Sequence, residues 1–178
     1  MTMLTVPLLE GEQVRLRPFA DTDANSVVEA GLDPTIPQNT TVVAHGDHND
    51  ALAFIQRQHQ RAITGEGWSF AITNPETDTA VGHIGLWRRN IDHGRASIGY
   101  WILQCHRRHG YATRALCALS SWAATHDDIS RLELFVEPMN EGSWRAAESA
   151  GYQREGLLRR WQKVDGQPRD MYIYARLP

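Results

Sequence analysis

The chain has 178 residues, 42% of them apolar and 22% charged, with a formal net charge of −3 at pH 7. That length buries a core without help from disulfides or metals and is one domain's worth of chain. The acidic balance argues against a general nucleic-acid binder, which carries a basic excess, and no apolar run approaches the roughly 18 residues of a membrane span. Met1 to Glu10 has neither the basic nor the long apolar region of a secretory signal. Cys105 and Cys117 form no C-x-x-C pair and no metal-ligand spacing, which fits reduced thiols in the cytoplasm. The expectation is one domain over residues 1–178, cytoplasmic, with no metal, no nucleic-acid partner and no membrane partner.

Val14, Leu16 and Pro18 alternate with Arg15 and Arg17, the pattern of a short strand. Asp21 is placed to cap a helix carrying Ala24, Val27, Val28 and Gly31, which Asp33-Pro34 stops. Thr35 to Asn49 is polar, holds Pro37 and Gly46, and reads as a long loop of the functional kind. Asp50 to Ile63 is a second helix with Ala51, Phe54, Ile55, Gln58 and Ala62 on one face, ended by Gly65 and Gly67. Trp68 to Thr73 and Ala80 to Arg88, joined by Asn74-Pro75-Glu76-Thr77-Asp78, form an antiparallel hairpin. Arg95 to Leu103 is apolar on both parities, as in a strand covered on both faces. Gly99 inside it marks a bulge or a close backbone approach.

Ala112, Ala115, Leu116, Leu119, Trp122 and Ala123 then recur at helical spacing, the strongest such signal in the chain. Leu132 to Glu137 is a further strand, Pro138-Met139-Asn140 a turn, and Ser143 to Ala150 a short helix closed by Gly151. Tyr152 to Lys163 and Arg169 to Leu177 make a closing hairpin across Asp165-Gly166-Gln167-Pro168. The order predicts an α/β (α+β) domain. It has a central mixed, mostly antiparallel sheet of about seven strands with helices on both faces. The strand–helix–strand unit from Ile98 to Val136 should be a right-handed parallel crossover.

One stretch carries chemistry. Arg107-Arg108-His109-Gly110-Tyr111-Ala112-Thr113 sits where a strand hands over to a helix. A helix start has unpaired N–H groups and the positive end of the macrodipole, and it binds phosphate. Gly110 lets a phosphate approach and Ala112 stays small, while Arg107 and Arg108 add charge-assisted bonds. No Walker A or G-x-G-x-x-G pattern occurs. Solvated arginines before a helix are the plain alternative.

With these residues in view, the chain resembles the GNAT superfamily of acyl-CoA-dependent N-acetyltransferases. Arg107-Arg108-His109-Gly110-Tyr111-Ala112 fits that family's pyrophosphate loop, Q/R-x-x-G-x-G/A. It is most similar to the RimJ/RimL branch, through Gly99-Tyr100-Trp101, Gly110-Tyr111-Ala112-Thr113, Asn140-Glu141-Gly142-Ser143, Ala150-Gly151-Tyr152 and the opening Val14-Arg15-Leu16-Arg17-Pro18. The resemblance implies a sheet splayed between its fourth and fifth strands. Pantetheine of acetyl-CoA would lie along Tyr100, Trp101, Ile102 and Leu103. Pyrophosphate would lie on Arg107, Arg108, His109, Gly110, Tyr111, Ala112 and Thr113, and Asn140 and Ser143 would flank the sulfur. It implies acetyl transfer to a primary amine such as a protein N-terminus or an amino-acid-like amine. The family often dimerises, so a homodimer is part of the expectation. Two features depart from the branch: Arg114 stands where it often has Glu, and Ala96-Ser97-Ile98 holds no acidic residue where many members have one. Other GNAT branches use a Tyr seven residues after the Asn as general acid, and here that position is Ala147.

Direct attack on the thioester needs a neutral amine. A lysine-like amine loses roughly 4–5 kcal/mol to deprotonation at pH 7, an α-amine only about 1 kcal/mol. The missing carboxylate therefore tilts the expectation towards an α-amine. A backbone N–H near Ile102 would hold the oxyanion. Ser143 would donate a hydrogen bond to the leaving thiolate. Glu137, His83 and Glu29 are the candidate bases, each with a plain structural alternative. Trp87, Trp161, His45 and His48 are candidates to wall or roof the acceptor site. Two alternatives stay open: a catalytically silent acyl-CoA-binding or sensor domain, and transfer of succinyl or a longer acyl group with Arg145 holding a distal carboxylate.

Overall fold

In the computed structural model, which describes residues 3–178, eight strands join in one sheet. They are β1 (Leu9–Gly11), β2 (Val14–Arg17), β3 (Gly67–Thr73), β4 (Ala80–Asn90), β5 (Arg95–Ile102), β6 (Arg131–Val136), β7 (Gln153–Val164) and β8 (Gln167–Arg176). Their spatial order is β1-β2-β3-β4-β5-β6-β8-β7. Only β5 and β6 run parallel; the other neighbours are antiparallel. The strand beyond the expected seven is β1, three residues long and too short to show a period of two.

Five helices cover the sheet: α1 (Ala24–Leu32), α2 (Ile36–Asn39), α3 (His48–Ile63), α4 (Tyr111–Ala123) and α5 (Glu141–Ser149). On one face Ala115, Leu116, Leu119 and Ala123 of α4 pack with Ala146 and Ala147 of α5 over Ile84, Leu86, Ile98 and Leu134. On the other face Val27 and Ala30 of α1 and Ala51, Phe54 and Ile55 of α3 pack against Ala71, Trp101 and Leu103. Each fully buried Leu or Ile in these layers contributes about 1.5–3 kcal/mol.

Local chemistry explains the element ends. The α3 start is a reciprocal cap: Asp47 accepts from Asp50 N–H, and Asp50 accepts from Asp47 N–H, both at 3.0 Å. This moves the start two residues ahead of the expected Asp50. Gly65 follows α3 with φ of 74°, and Gly151 follows α5 with φ of 82°, each closing its helix in the left-handed conformation. At α1 the expected cap is displaced. Asp21 lies in a 3₁₀ turn, and Asp23 instead accepts the Ala20 N–H at 2.8 Å while pairing with Arg17. The long polar loop is not structureless. Asp33 accepts from the Thr35 hydroxyl and from the Thr35 and Ile36 N–H groups, and this nucleates the single turn α2.

The parallel register of β5 and β6 runs from Arg95↔Arg131 to Ile98↔Leu134 and stops. Beyond it β5 stays paired with β4 as far as Gly82↔Ile102, and β6 stays with β8 as far as Val136↔Tyr172. Each strand follows its outer neighbour, so a gap opens between them. Here the splay lies between the fifth and sixth strands, because β1 shifts the count by one. Gly99 begins the gap. The β4–β5 register is unbroken there, and a Cβ on Gly99 would meet nothing within 4 Å. It is neither a bulge nor a tight contact, but bare floor.

Candidate active site

The gap leads into two cavities on either side of one point. A cavity of about 800 Å³ is lined by Tyr100, Ile102, Arg108, Gly110, Ala112, Thr113 and α5 residues, among others. A second, of about 480 Å³, is lined by His83, Trp87, Arg61, Arg89, Gly99 and Phe135, among others. Asn39, Tyr100, Trp101, Glu137, Asn140 and Ser143 line both.

Sheet geometry sets what the gap presents. Leu103 N–H donates to Val81 O at 2.9 Å, so the backbone groups of Leu103 and Trp101 face β4. Successive residues of a strand point their N–H and C=O to opposite edges. Tyr100 and Ile102 therefore present theirs to the gap. The Ile102 carbonyl accepts from Arg107 Nε at 3.0 Å, leaving the Ile102 N–H as a donor into the cleft. Leu103 does not contribute to this edge: its side chain is 2% exposed in the core and its N–H is used by β4.

The turn before α4 is built from two left-handed residues, Arg108 with φ of 63° and Gly110 with φ of 80°. No side chain caps α4, so its first N–H groups have no intrahelical or capping partner. Arg108 lines the larger cavity, where it is available to an anion. Arg107 lines the same cavity and also has a structural tie. Its Nη2 pairs with Asp33 at 2.6 Å while its Nε holds Ile102 O. Burial alone would raise the Asp33 pKa. Its bonds from Thr35, the Arg107 charge and the Ile36 N–H together bring it below the usual range. Arg107 thus ties α2 and the long loop to the end of β5. His109 lines neither cavity; its carbonyl accepts from Arg114 Nη1 at 2.9 Å. Tyr111 accepts from Asn74 Nδ2 through its hydroxyl at 3.1 Å, which fixes the helix start against the β3–β4 turn.

At the junction of the cavities, the Tyr100 hydroxyl and Ser143 Oγ lie 2.9 Å apart. Burial pushes the Tyr100 pKa up and the Ser143 bond pulls it back, with burial prevailing. The pair is a neutral hydroxyl dyad at physiological pH. Asn140 is the N-cap of α5, accepting from Ser143 N–H at 3.2 Å, and so it sets where Ser143 stands. The Tyr100–Ser143 pairing joins residues 43 apart and had no signal in local sequence.

The three candidate bases separate clearly. Glu137 lines both cavities, with Arg169 Nε 4.0 Å from its carboxylate. Glu29 is exposed, accepts a bond from Cys105 Sγ at 3.3 Å, and lines neither cavity. His83 borders the smaller cavity but is 6% exposed, and burial followed by the Arg61 charge lowers its pKa to about 3. Ser69 donates to Gln58 Oε1 at 2.9 Å, so the 2.7 Å contact from Ser69 Oγ to His83 Nε2 assigns the proton there to His83. His83 is a neutral donor in the cavity floor, a poor proton acceptor near pH 7.

Of the proposed acceptor walls, Trp87 lines the smaller cavity, its indole lying over Gly85 where any Cβ would clash at 1.4 Å. Trp161 stacks on Phe135 with centroids 5.5 Å apart. The roof comes from Asn39, Thr40 and Thr41 rather than from His45 and His48, which line neither cavity. Arg145 is paired with Glu141 at 2.7 Å and lies over Trp144, so it is not a free cation for a succinyl carboxylate. Ala147 is fully buried. No helix among the described residues is long and apolar enough to cross a membrane.

Comparison with known proteins agrees with this geometry. Residues 13–153 match the Acetyltransferase (GNAT) domain family. The chain is 30% identical over 166 residues to p20 of Bacillus licheniformis, described as an uncharacterized N-acetyltransferase, covering 93% of each chain. It is 28% identical over 100 residues to the ribosomal-protein-serine acetyltransferase of Escherichia coli (strain K12), covering 56% of each. The solved structure of Mycobacterium smegmatis RimJ in complex with CoA-disulfide is similar with a TM-score of 0.79 at 25% identity, over 97% of this chain and 86% of that one. A cleft with an uncapped helix start at one end, an open strand edge along it and a pocket at the other is what a two-substrate acyl transfer requires, and with the match over residues 13–153 it follows that the chain belongs to the GNAT family as an acetyl-CoA-dependent N-acetyltransferase.

Proposed function

We propose that the whole chain, residues 1–178, works as one cytoplasmic catalytic unit that acetylates an α-amine, with acetyl-CoA in the larger cavity and the acceptor in the smaller one. The observation that carries this reading is the meeting of both cavities at Tyr100, Glu137, Asn140 and Ser143. The Arg108–Thr113 turn cradles the pyrophosphate and the backbone edge at Tyr100 and Ile102 pairs with pantetheine. The amine enters past Trp87 and attacks the thioester carbonyl. As the C–N bond forms, the oxyanion is held by the Ile102 N–H. As the C–S bond breaks, the thiolate is met by the Ser143 and Tyr100 hydroxyls. The leaving thiol has an ordinary pKa near about 8.5, so a hydrogen bond suffices.

Glu137 takes the ammonium proton through water and passes it to solvent. A carboxylate acting at a distance is a weak base, which suits an α-amine with pKa of about 7.7 and not an alkyl amine near about 10.4. His83, neutral and already donating to Ser69, supports the floor. The name of the E. coli relative, ribosomal-protein-serine acetyltransferase, is in keeping with a protein acceptor. The family's tendency to dimerise predicts a particle of twice 20.1 kDa in sedimentation. The deciding experiment is an acetyl-CoA consumption screen at pH 7 over peptides with free α-amines, alkyl amines and amine antibiotics. The expected result is a preference for α-amines. A strong alkyl-amine preference contradicts the acceptor class, and acetyl-CoA binding without any turnover supports the silent-domain alternative.

A further inference from the structure

The smaller cavity has a charge at its far end that the transfer chemistry does not use. Arg61, on the last turn of α3, is half-buried, and its guanidinium lies 4.9 Å from the centroid of the Trp87 ring. One Nη donates to Gln58 Oε1 at 2.7 Å, and that acceptor is a neutral amide. Arg89 lines the same cavity at its exposed rim. Neither arginine forms an ion pair with any described residue. Three other arginines around the cleft are ion-paired: Arg107 with Asp33, Arg145 with Glu141 and Arg169 with Glu137. Burial is the main influence on Arg61 and lowers its pKa; the Glu66 charge opposes this, and Arg57 and Arg89 add smaller repulsions.

A guanidinium with five donors, stacked on an aromatic face and desolvated without a counter-ion, is a site for a carboxylate or phosphate. The position follows from the ring: the Trp87 indole lies back over Gly85, which pairs with Gly99 beside Tyr100, so the cation stands over the acceptor end of the cleft. The floor between, Ser97 and Gly99, is bare and admits an extended molecule.

We infer that Arg61, assisted by Arg89, binds an anionic group that the acceptor carries apart from its reacting amine, such as the side chain of an acidic residue that follows a peptide's α-amine. This rests on the acetyl-transfer reading above and adds the acceptor's charge pattern to it. The test compares kcat/KM by CoA release for two matched pairs. One is the tetrapeptide amide Ser-Ala-Glu-Ala against Ser-Ala-Gln-Ala; the other is 6-aminohexyl phosphate against 6-aminohexanol. The charged member of at least one pair is expected to be better by about tenfold, and which pair shows it separates a peptide carboxylate from a small-molecule phosphate. Arg61→Gln should bring the charged member level with its neutral partner. Arg89→Gln, at an exposed position with no folding role, should narrow the gap by about threefold and steepen no other trend. Raising salt should reduce the preference. Equal kcat/KM within both pairs overturns the inference and leaves the acetyl-transfer reading standing. Acetyl-CoA consumption with none of the amines overturns both.

Discussion

The two halves of the cleft are built in opposite ways. The larger cavity takes its strand edge and helix start from nearly contiguous chain, between Tyr100 and Thr113, with α5, residues 35–39 and the β7–β8 hairpin around them. That edge and helix start present backbone groups, so their shape is fixed by conformation, above all by Arg108 and Gly110 in the left-handed region. The acceptor half is assembled from α2, α3, β4, β5, β6 and the β7–β8 hairpin, and its chemistry is carried by side chains. A backbone-built half tolerates changes of side chain and keeps one ligand. A side-chain-built half can be re-tuned without disturbing it, which is how one fold serves many acceptors.

The largest expected effect probes the floor of the acceptor half. His83 has an ordinary unfolded pKa near 6.5 and a folded value of about 3. The unfolded chain therefore binds the extra proton between these values. Its contribution to stability is complete above pH 6.5 and is lost as pH falls towards 3. The loss is on the order of 4 kcal/mol, read as the pH dependence of urea unfolding. His83→Gln should flatten that slope; an unchanged slope would show that His83 is not held neutral.

Breaking the donor half comes next. Gly110→Asp puts a carboxylate at the anion cradle, with only the flexible Arg114 guanidinium 3.2 Å from the new Cβ and a strain of about 1–2 kcal/mol from the left-handed backbone. Acetyl-CoA affinity should fall by about 100-fold by calorimetry, with melting lowered by a few degrees. Asp33→Asn removes the charge that anchors Arg107 and should lower stability by about 1–3 kcal/mol in thermal unfolding. Because α2 borders both cavities, KM should rise for both substrates together. A rise for one substrate alone would show that the tie serves one half. The smallest effect lies at the junction. Ser143→Ala should slow kcat about tenfold, since Tyr100 remains to meet the thiolate. A thousand-fold loss would make Ser143 more than a hydrogen-bond donor.

The same division explains what could be read in advance. The α4 periodicity, the Gly110 turn and the parallel β5–β6 unit depend on residues close in sequence, and their spacing exposes them. The structural tie of Arg107 is not legible locally, because its partner Asp33 lies 74 residues away. The fate of His83 depended on burial, which one strand's alternation does not report. Tyr100 with Ser143, and Arg61 over Trp87, are pairings made only when α3, the sheet and α5 close together. Strand β1 is too short at three residues to show an alternation, and the Asp33 bonds that form α2 leave no periodicity in a polar stretch.

The central claim is that the halves meet at the Tyr100–Ser143 dyad. A crystal structure with CoA tests it directly, through the position of the sulfur. Pantetheine is expected to be hydrogen-bonded to the backbone at Tyr100 and Ile102, pyrophosphate to lie on Arg108–Thr113, and the sulfur to lie within hydrogen-bonding reach of Ser143 Oγ, with the cavity over Gly99 left free. A sulfur lying in the cavity beside Trp87, or a pyrophosphate away from Gly110, would contradict it.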